Sequence, residues 1–467
     1  MERESLLWPA RRRRFAAPGL ALTVSLAGSL ALACVSPALT QRYRESEQQL
    51  RVSSRESASL ADGETLFAGL SALDSATLVR EVLRRNPSLR AAQEAWRAAL
   101  ARYPQETSLE DPVVDVGVGP WTFGSSTVDE SYMVGLRQPF PFPGKLGLRG
   151  KRALAEADAS QRELDVTRLD LAVRAHMLFA DYYLAARSLE INAESLRLLE
   201  ELHQSALAQY QGGLVSQQDP LQAETERLER IHREIELRTR FRTRAQQLNA
   251  LLHRAADLPL PPPPKALSAD LLAHDELAAA AAWALETRPE IAAADAMIAA
   301  RESARALAVR EFLPDFEVWG KYDRFWSERD LRPSVGLALN VPLQLGRRRG
   351  ALEEAEAELE RARRERDRLA DDIQAGVANA AERVLEQQHL EELLREQTLP
   401  TARDRVVAAR AAYDTGQTDF TAVIDAFRAR LQAELAYETA LAMLARRQAE
   451  LLGAAGDLTT LESGARP

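Results

Sequence analysis

The sequence holds little of what usually staples a fold, crosses a bilayer as a helix, or performs chemistry. Its 467 residues include one cysteine, Cys34, which excludes an intrachain disulfide. Aromatic residues make up only 6%, and Ala, Leu, Glu and Arg dominate the remainder. That balance predicts mostly helix, much of it in exposed or coiled-coil-like packing. The formal net charge is −9 with both signs interspersed, so the clustered basic face of a nucleic-acid binder is missing. The histidines, His176, His203, His232, His253, His274 and His389, are scattered; none pairs at i,i+4, and no methionine cluster accompanies them. No metal site is expected from that pattern. Nucleophile motif, P-loop and dinucleotide fingerprint are likewise missing. The chain reads as a protein that is not an enzyme and takes no cofactor. Past the N-terminal segment there is no apolar run of about 18 residues. A mature chain that crosses a membrane must therefore do so as β-strands.

What is present begins with a secretory signal over residues 1–33. Arg11 to Arg14 form its basic part, residues 16–32 its apolar part, and Ala31-Leu32-Ala33 its small-residue cleavage site. Two readings of Cys34 stand side by side: an incidental residue after ordinary cleavage, or the lipidated N-terminus of a bacterial lipoprotein. For the second, leucine three positions before the cysteine would be usual, and Ala31 stands there with Leu30 one further out. Val35 follows, in place of an aspartate, which suits sorting to the outer membrane. Residues 34–73, mostly polar, are expected to form a loose linker carrying the anchor.

A complete unit then occurs twice. Residues 74–257 read as helix broken at Asn86-Pro87, two strands at about 112–119 and 131–140, a long helix, a turn at 210–219 and a return helix. The strands show period two, with Val114, Val116 and Val118 on one face and Asp115, Gly117 and Gly119 on the other. Proline is absent from Lys145 to Gln209, and such a helix would be about 95 Å long. A proline-rich linker, 258–270, leads to residues 271–454, where the order returns: a break at Arg288-Pro289, strands at about 315–326 and 333–343, a long helix that Pro400 kinks or splits, and a turn at 413–419. Residues 455–467 form a tail. Pro87 corresponds to Pro289, Val134 to Val335, Gly144 to Gly346 and Tyr210 to Tyr413, at offsets of 201 to 203. Four strands cannot close a barrel, which takes about eight. A membrane sheet cannot keep open edges, so the chain is expected to oligomerise.

The segments RRNPSLRAAQ, LRQPFPFPGKLGLRGKR, YQGGLVSQQDPLQAE, LNALLHR, RPEIAAADAMIAARESARALAVREFLPDFEV, YDTGQTDFTAVIDAFRARLQAELAYETAL and LLGAAGDL, in that order and duplicated, resemble the TolC family of outer-membrane efflux ducts over the mature length. The resemblance implies a mainly α fold with a β-barrel part: a homotrimer whose twelve strands close one barrel in outer-membrane lipid, continued by a periplasmic α-helical barrel. It implies docking on a periplasmic adaptor and an inner-membrane transporter, and export of drugs, metal ions or proteins. QPFPFPGK leans towards the heavy-metal or cation branch. The rival readings are a duct for type I protein secretion, a periplasmic adaptor, and a coiled-coil scaffold without a channel.

The resemblance also nominates residues. Gly213-Leu214-Val215-Ser216 and Thr415-Gly416-Gln417-Thr418 would form the tip that an adaptor grips; a plain helix reversal would need the same turns. Asp219 and Tyr413 match positions whose hydrogen bonds hold that tip shut, although Thr418 replaces the family's arginine and Asp219 also suits a helix cap together with Ser216. Asp425 matches an aspartate that projects into the constriction, where three copies would favour cations. Its companion is replaced by Ala422, and a solvated helix face is the plainer reading.

Overall fold

The structure is a computed structural model that describes residues 36–56, 66–67, 69–267 and 282–463. The signal, Cys34 and parts of the expected linkers and tail lie outside the described residues. In chain order the elements are α1 (Pro37–Glu56), α2 (Ser75–Arg85), α3 (Pro87–Leu100), α4 (Arg102–Thr107), β1 (Val113–Val118), β2 (Tyr132–Phe140), α5 (Lys145–Gln211) and α6 (Gln218–Leu251). The second copy supplies α7 (Pro289–Arg310), β3 (Asp315–Asp323), β4 (Pro333–Asn340), α8 (Leu345–Leu393), α9 (Leu399–Asp414), α10 (Phe420–Ala455) and α11 (Leu458–Ser463). Among the described residues, no helix is long and apolar enough to cross a membrane.

The chain divides into two compact units. One takes residues up to 47, 100–154 and 299–359, and the other residues 48–99, 155–298 and 360–467. The first unit is built on one antiparallel sheet in the order β1-β2-β3-β4, so β2 against β3 joins the two copies. Its registers put Val114, Val116 and Val118 beside Leu136, Val134 and Tyr132, and these continue across to Tyr322, Val318, Val335, Leu337 and Leu339. That face is apolar and exposed. The opposite face carries charge. Arg137 donates to Asp115 at 2.6 and 2.8 Å and lies 3.9 Å from Glu317. Trp319 lies flat over Gly336, where a Cβ would come within 2.3 Å of its ring.

Below the sheet, α5 opens on Lys145, whose side chain is only 1% exposed. A cation in the first turn opposes the helix dipole. It is compensated by Asp315 at 2.9 Å, Glu311 at 3.3 Å and the Leu313 carbonyl at 3.4 Å. Asp315 also accepts the Phe142 backbone N–H at 2.6 Å.

Residues 37–56, expected as loose linker, form helix α1. The polar composition hid a sparse apolar stripe. Leu39 and Leu50 are buried, and Tyr43 stacks on Tyr103 with ring centroids 4.8 Å apart.

In the second unit, one core gathers Ile291, Ile373, Val377, Val384, Leu444 and Leu451. A charged tie lies at another cluster, where Ala180, Tyr183 and Ala442 are buried. Glu438, nearly buried, accepts from Tyr183 at 2.7 Å and from Arg187 at 3.1 and 3.0 Å. Burial, then the Glu438 carboxylate, pushes the Tyr183 phenol up, so it remains a donor. The long helix of the second copy is interrupted by a π-turn at Leu394–Thr398, and Pro400 follows inside the first turn of α9. Sequence spacing explains the interruption. Gly346 to Tyr413 spans one residue more than Gly144 to Tyr210, and one extra residue in an α-helix is absorbed as a π-bulge.

Candidate functional site

The two helix reversals of the second unit flank a common cluster. Leu199, Ala206, Ala223, Phe420, Ile424 and Phe427 form this buried cluster, with Tyr413 packed against it. Both reversals use the same cap. At the end of α5, Leu214 N–H bonds to the Gln209 carbonyl at 2.9 Å, Gly213 N–H bonds to that of Tyr210 at 2.9 Å, and Gly213 has φ +71°. At the end of α9, Gln417 bonds to Ala412 at 2.8 Å, Gly416 to Tyr413 at 2.9 Å, and Gly416 has φ +68°. This is a Schellman arrangement, which needs a left-handed residue and therefore selects glycine. Leu214 is 79% exposed. Gly213, Ser216, Thr415, Gly416 and Gln417 are also exposed, while Val215 and Thr418 are half-buried.

Asp219 and Tyr413 meet directly. The Tyr413 hydroxyl donates to Asp219 Oδ2 at 2.9 Å across 194 residues of sequence. The phenol sits edge-on to Phe420 at 5.3 Å. Burial, with the Asp219 bond second, pushes its pKa up, so it stays protonated and donates. Asp219 Oδ1 accepts from Ser216 Oγ at 3.1 Å. Gln217 occupies the N-cap of α6, and no side-chain cap bond forms there. The carboxylate thus takes side-chain donors, in place of the backbone amides a helix cap would offer.

Asp425 is about half exposed and lies 3.5 Å from Arg428. Arg428 also pairs with Glu226, whose side chain is nearly fully buried. The Glu226 carboxylate, with burial opposing it, raises the arginine's pKa. Sequence reading did not nominate Glu226 or Arg428. A signal was available, because Glu226 falls three residues after buried Ala223, on the inward stripe of α6. A carboxylate on that stripe requires a buried partner. Thr421 and Gln222 touch at 3.4 Å beside this pair. The site therefore joins α9 and α10 to the start of α6 through the Tyr413–Asp219 hydrogen bond, the Arg428–Glu226 ion pair and the Thr421–Gln222 contact. Among the described residues, no group of three or more His, Cys, Asp or Glu is placed to hold a metal.

A family model described as outer membrane efflux protein matches residues 78–253 and 282–457, one match to each copy. No curated protein matches the sequence. Among solved structures, the outer-membrane channel OprN is 21% identical, with a TM-score of 0.68 over 84% of this chain and 91% of that one. The outer membrane protein VceC from Vibrio cholerae is 19% identical, with a TM-score of 0.68 over 82% and 96%. The MtrE outer membrane channel of Neisseria gonorrhoeae, in its open state, is 19% identical, with a TM-score of 0.66 over 82% and 88%.

Proposed function

The chain belongs to the outer membrane efflux protein family, and from that premise we propose how it works as the outer-membrane duct of an efflux pump. Three copies close one barrel in the outer membrane, each giving its four strands. The reversals at Gly213–Ser216 and Thr415–Thr418 receive a periplasmic adaptor that links the duct to an inner-membrane transporter. Asp219 and Tyr413 hold the periplasmic end shut, and Asp425 contributes a carboxylate to its constriction, partly neutralised by Arg428. Cys34 carries a lipid that anchors the N-terminus.

The observation that carries the reading is the sheet of the first unit. One face is apolar and exposed, and the other carries Asp115, Arg137, Glu317 and Lys321. That is the two-sided pattern of a bilayer sheet around an aqueous lumen. Its two free edges cannot remain unpaired in hydrocarbon. The Tyr413–Asp219 bond supports the gate. A hydrogen bond to a charged acceptor contributes about 1.5–3 kcal/mol, enough to bias a closed end without fixing it permanently.

Single-channel conductance in planar bilayers tests both parts. Small discrete steps are expected from the natural protein, with larger steps from an Asp219→Ala/Tyr413→Phe variant. Unchanged steps in the variant would leave the duct and remove the latch. Silence from both proteins, after confirmed insertion, would overturn the channel itself.

A further inference from the structure

The internal duplication contains its own instruction for assembly. Within the chain, β2 of the first copy pairs with β3 of the second, with Leu136 opposite Gly320, Gln138 opposite Val318 and Phe140 opposite Phe316. Val134 corresponds to Val335, so β2 maps onto β4 with a shift of 201 residues. Pro112 corresponds to Pro314, so β3 maps back onto β1 with a shift of 202 residues. The image of the β2–β3 seam is therefore a β4–β1 seam, which one chain cannot make, because β1 and β4 lie at opposite edges of its sheet.

Resting on the barrel reading above, we propose that β4 pairs antiparallel with β1 of a second copy of this chain, with Leu337 opposite Val118, Leu339 opposite Val116 and Val341 opposite Val114, and that this seam lacks the ionic bridge of the seam within the chain. Three features support it. First, the register preserves sidedness. Leu337, Leu339, Val341, Val114, Val116 and Val118 are all exposed apolar residues, and each meets another of its kind. Second, the ladder closes at a sensible tilt. It runs from Val113 to Arg137, Trp319 and Gly336, and the proposed register carries it to Gly119 of the second copy, six residues further on. Three copies then stagger a twelve-stranded barrel by an amount that tilts its strands about 45° from the axis, at the upper end of the usual range. Third, the difference between the seams is visible in the residues. Arg137 reaches Asp115 on one side and Glu317 on the other, tying both neighbours of β2. Its counterpart in β4 is Ala338, which stands opposite Glu317 and has nothing to offer it. Across the proposed seam, Asp115 of the second copy lies one diagonal step from Ala338. In this register Asn340 stands opposite Asp115 of the second copy, so the seam between chains is held by backbone bonds, apolar pairs and one amide–carboxylate pair, with no ionic bridge.

Disulfide cross-linking of full-length protein in detergent and in vesicles reads the register. Leu339→Cys combined with Val116→Cys is expected to convert most chains into covalent oligomers. Leu337→Cys with Val116→Cys, two residues out of register, is expected to give about a tenth as much, because the cysteines stand diagonally across the ladder. Single-cysteine variants report any disulfide made through Cys34. Ala338→Arg supplies the missing bridge and is expected to raise the temperature at which the detergent-resistant oligomer dissociates, an increase that Ala338→Gln does not reproduce. Preferential cross-linking of the shifted pair, or no inter-chain cross-link alongside ordinary conductance, would overturn the register and leave the channel reading intact. Loss of the Ala338→Arg effect in an Asp115→Asn background supports the bridge; an undiminished effect there, or a lowered dissociation temperature for Ala338→Arg, overturns it. Monomers without conductance would overturn the barrel reading itself.

Discussion

His253 is the described non-glycine residue with positive φ, at +54°, and it stands where α6 ends. Arg254 N–H bonds to the Asn249 carbonyl at 2.9 Å, the same cap that Gly456 makes at the end of α10. His253 and Gly456 correspond at the offset of 203 that also relates the two tyrosines. A side chain held in the left-handed region costs about 1–2 kcal/mol, and glycine returns part of that gain through its freer unfolded state. His253→Gly is therefore expected to stabilise the protein by up to about 1 kcal/mol in denaturant titration. Gly456→Ala is expected to destabilise it, since the added Cβ would meet Arg288 Cγ at 3.0 Å at φ +78°. His176 predicts a pH dependence. Its Nε2 donates to the Leu461 carbonyl at 2.8 Å, and burial holds its pKa below the usual value, the Leu461 bond opposing. Below pH about 6.5 the unfolded chain gains a proton that the folded chain refuses. Stability should fall from that pH downward and level off once the folded-state pKa is passed. Hydrogen exchange of α11 should accelerate over the same interval, and His176→Gln should flatten the profile.

At the scale of elements, the π-turn shows how the two long helices came to differ. Pro400 has no N–H to donate, and it would cost about 3 kcal/mol inside a continuous helix. In the structure it occupies the first turn of α9, directly after the π-turn at Leu394–Thr398. Deleting Thr398 restores the spacing of the first copy but leaves the proline inside the helix. Deletion alone is expected to lower the thermal midpoint clearly, whereas deletion combined with Pro400→Ala should recover most of the loss. Pro400→Ala alone should leave the π-turn in place, because the extra residue remains. At the other reversals, equal Schellman caps at Gly213 and Gly416 explain why the same tyrosine–glycine pattern interrupts a long helix twice. The chain needs one left-handed residue at each reversal.

For the whole molecule, the duplication builds the sheet. The two family matches cover the two copies, and each copy supplies two strands to a sheet that has unpaired edges. The proposed address rests on Cys34. Metabolic labelling with palmitate is expected to mark the natural protein and to spare Cys34→Ser, while the purified variant should still conduct in planar bilayers. Labelling that persists in Cys34→Ser would place the lipid elsewhere.

The sequence by itself determined the periodic features: which segments are strand or helix, the repeat of the unit, and the glycine reversals. These follow from local sterics and from apolar spacing, which neighbouring residues encode. Helix α1 escaped because its apolar positions, Leu39, Tyr43 and Leu50, are too sparse to stand out from a polar segment. Only the tertiary structure shows which groups Asp219 bonds, because a cap bond and a long-range bond begin from the same residue at a helix start. Its partner Tyr413 lies 194 residues away. The same holds for Glu226 with Arg428, 202 residues apart, and for Lys145 with Asp315, 170 apart. A buried charge announces in the sequence that it needs a partner. Which partner it receives depends on how distant helices and strands pack, and no local pattern records that.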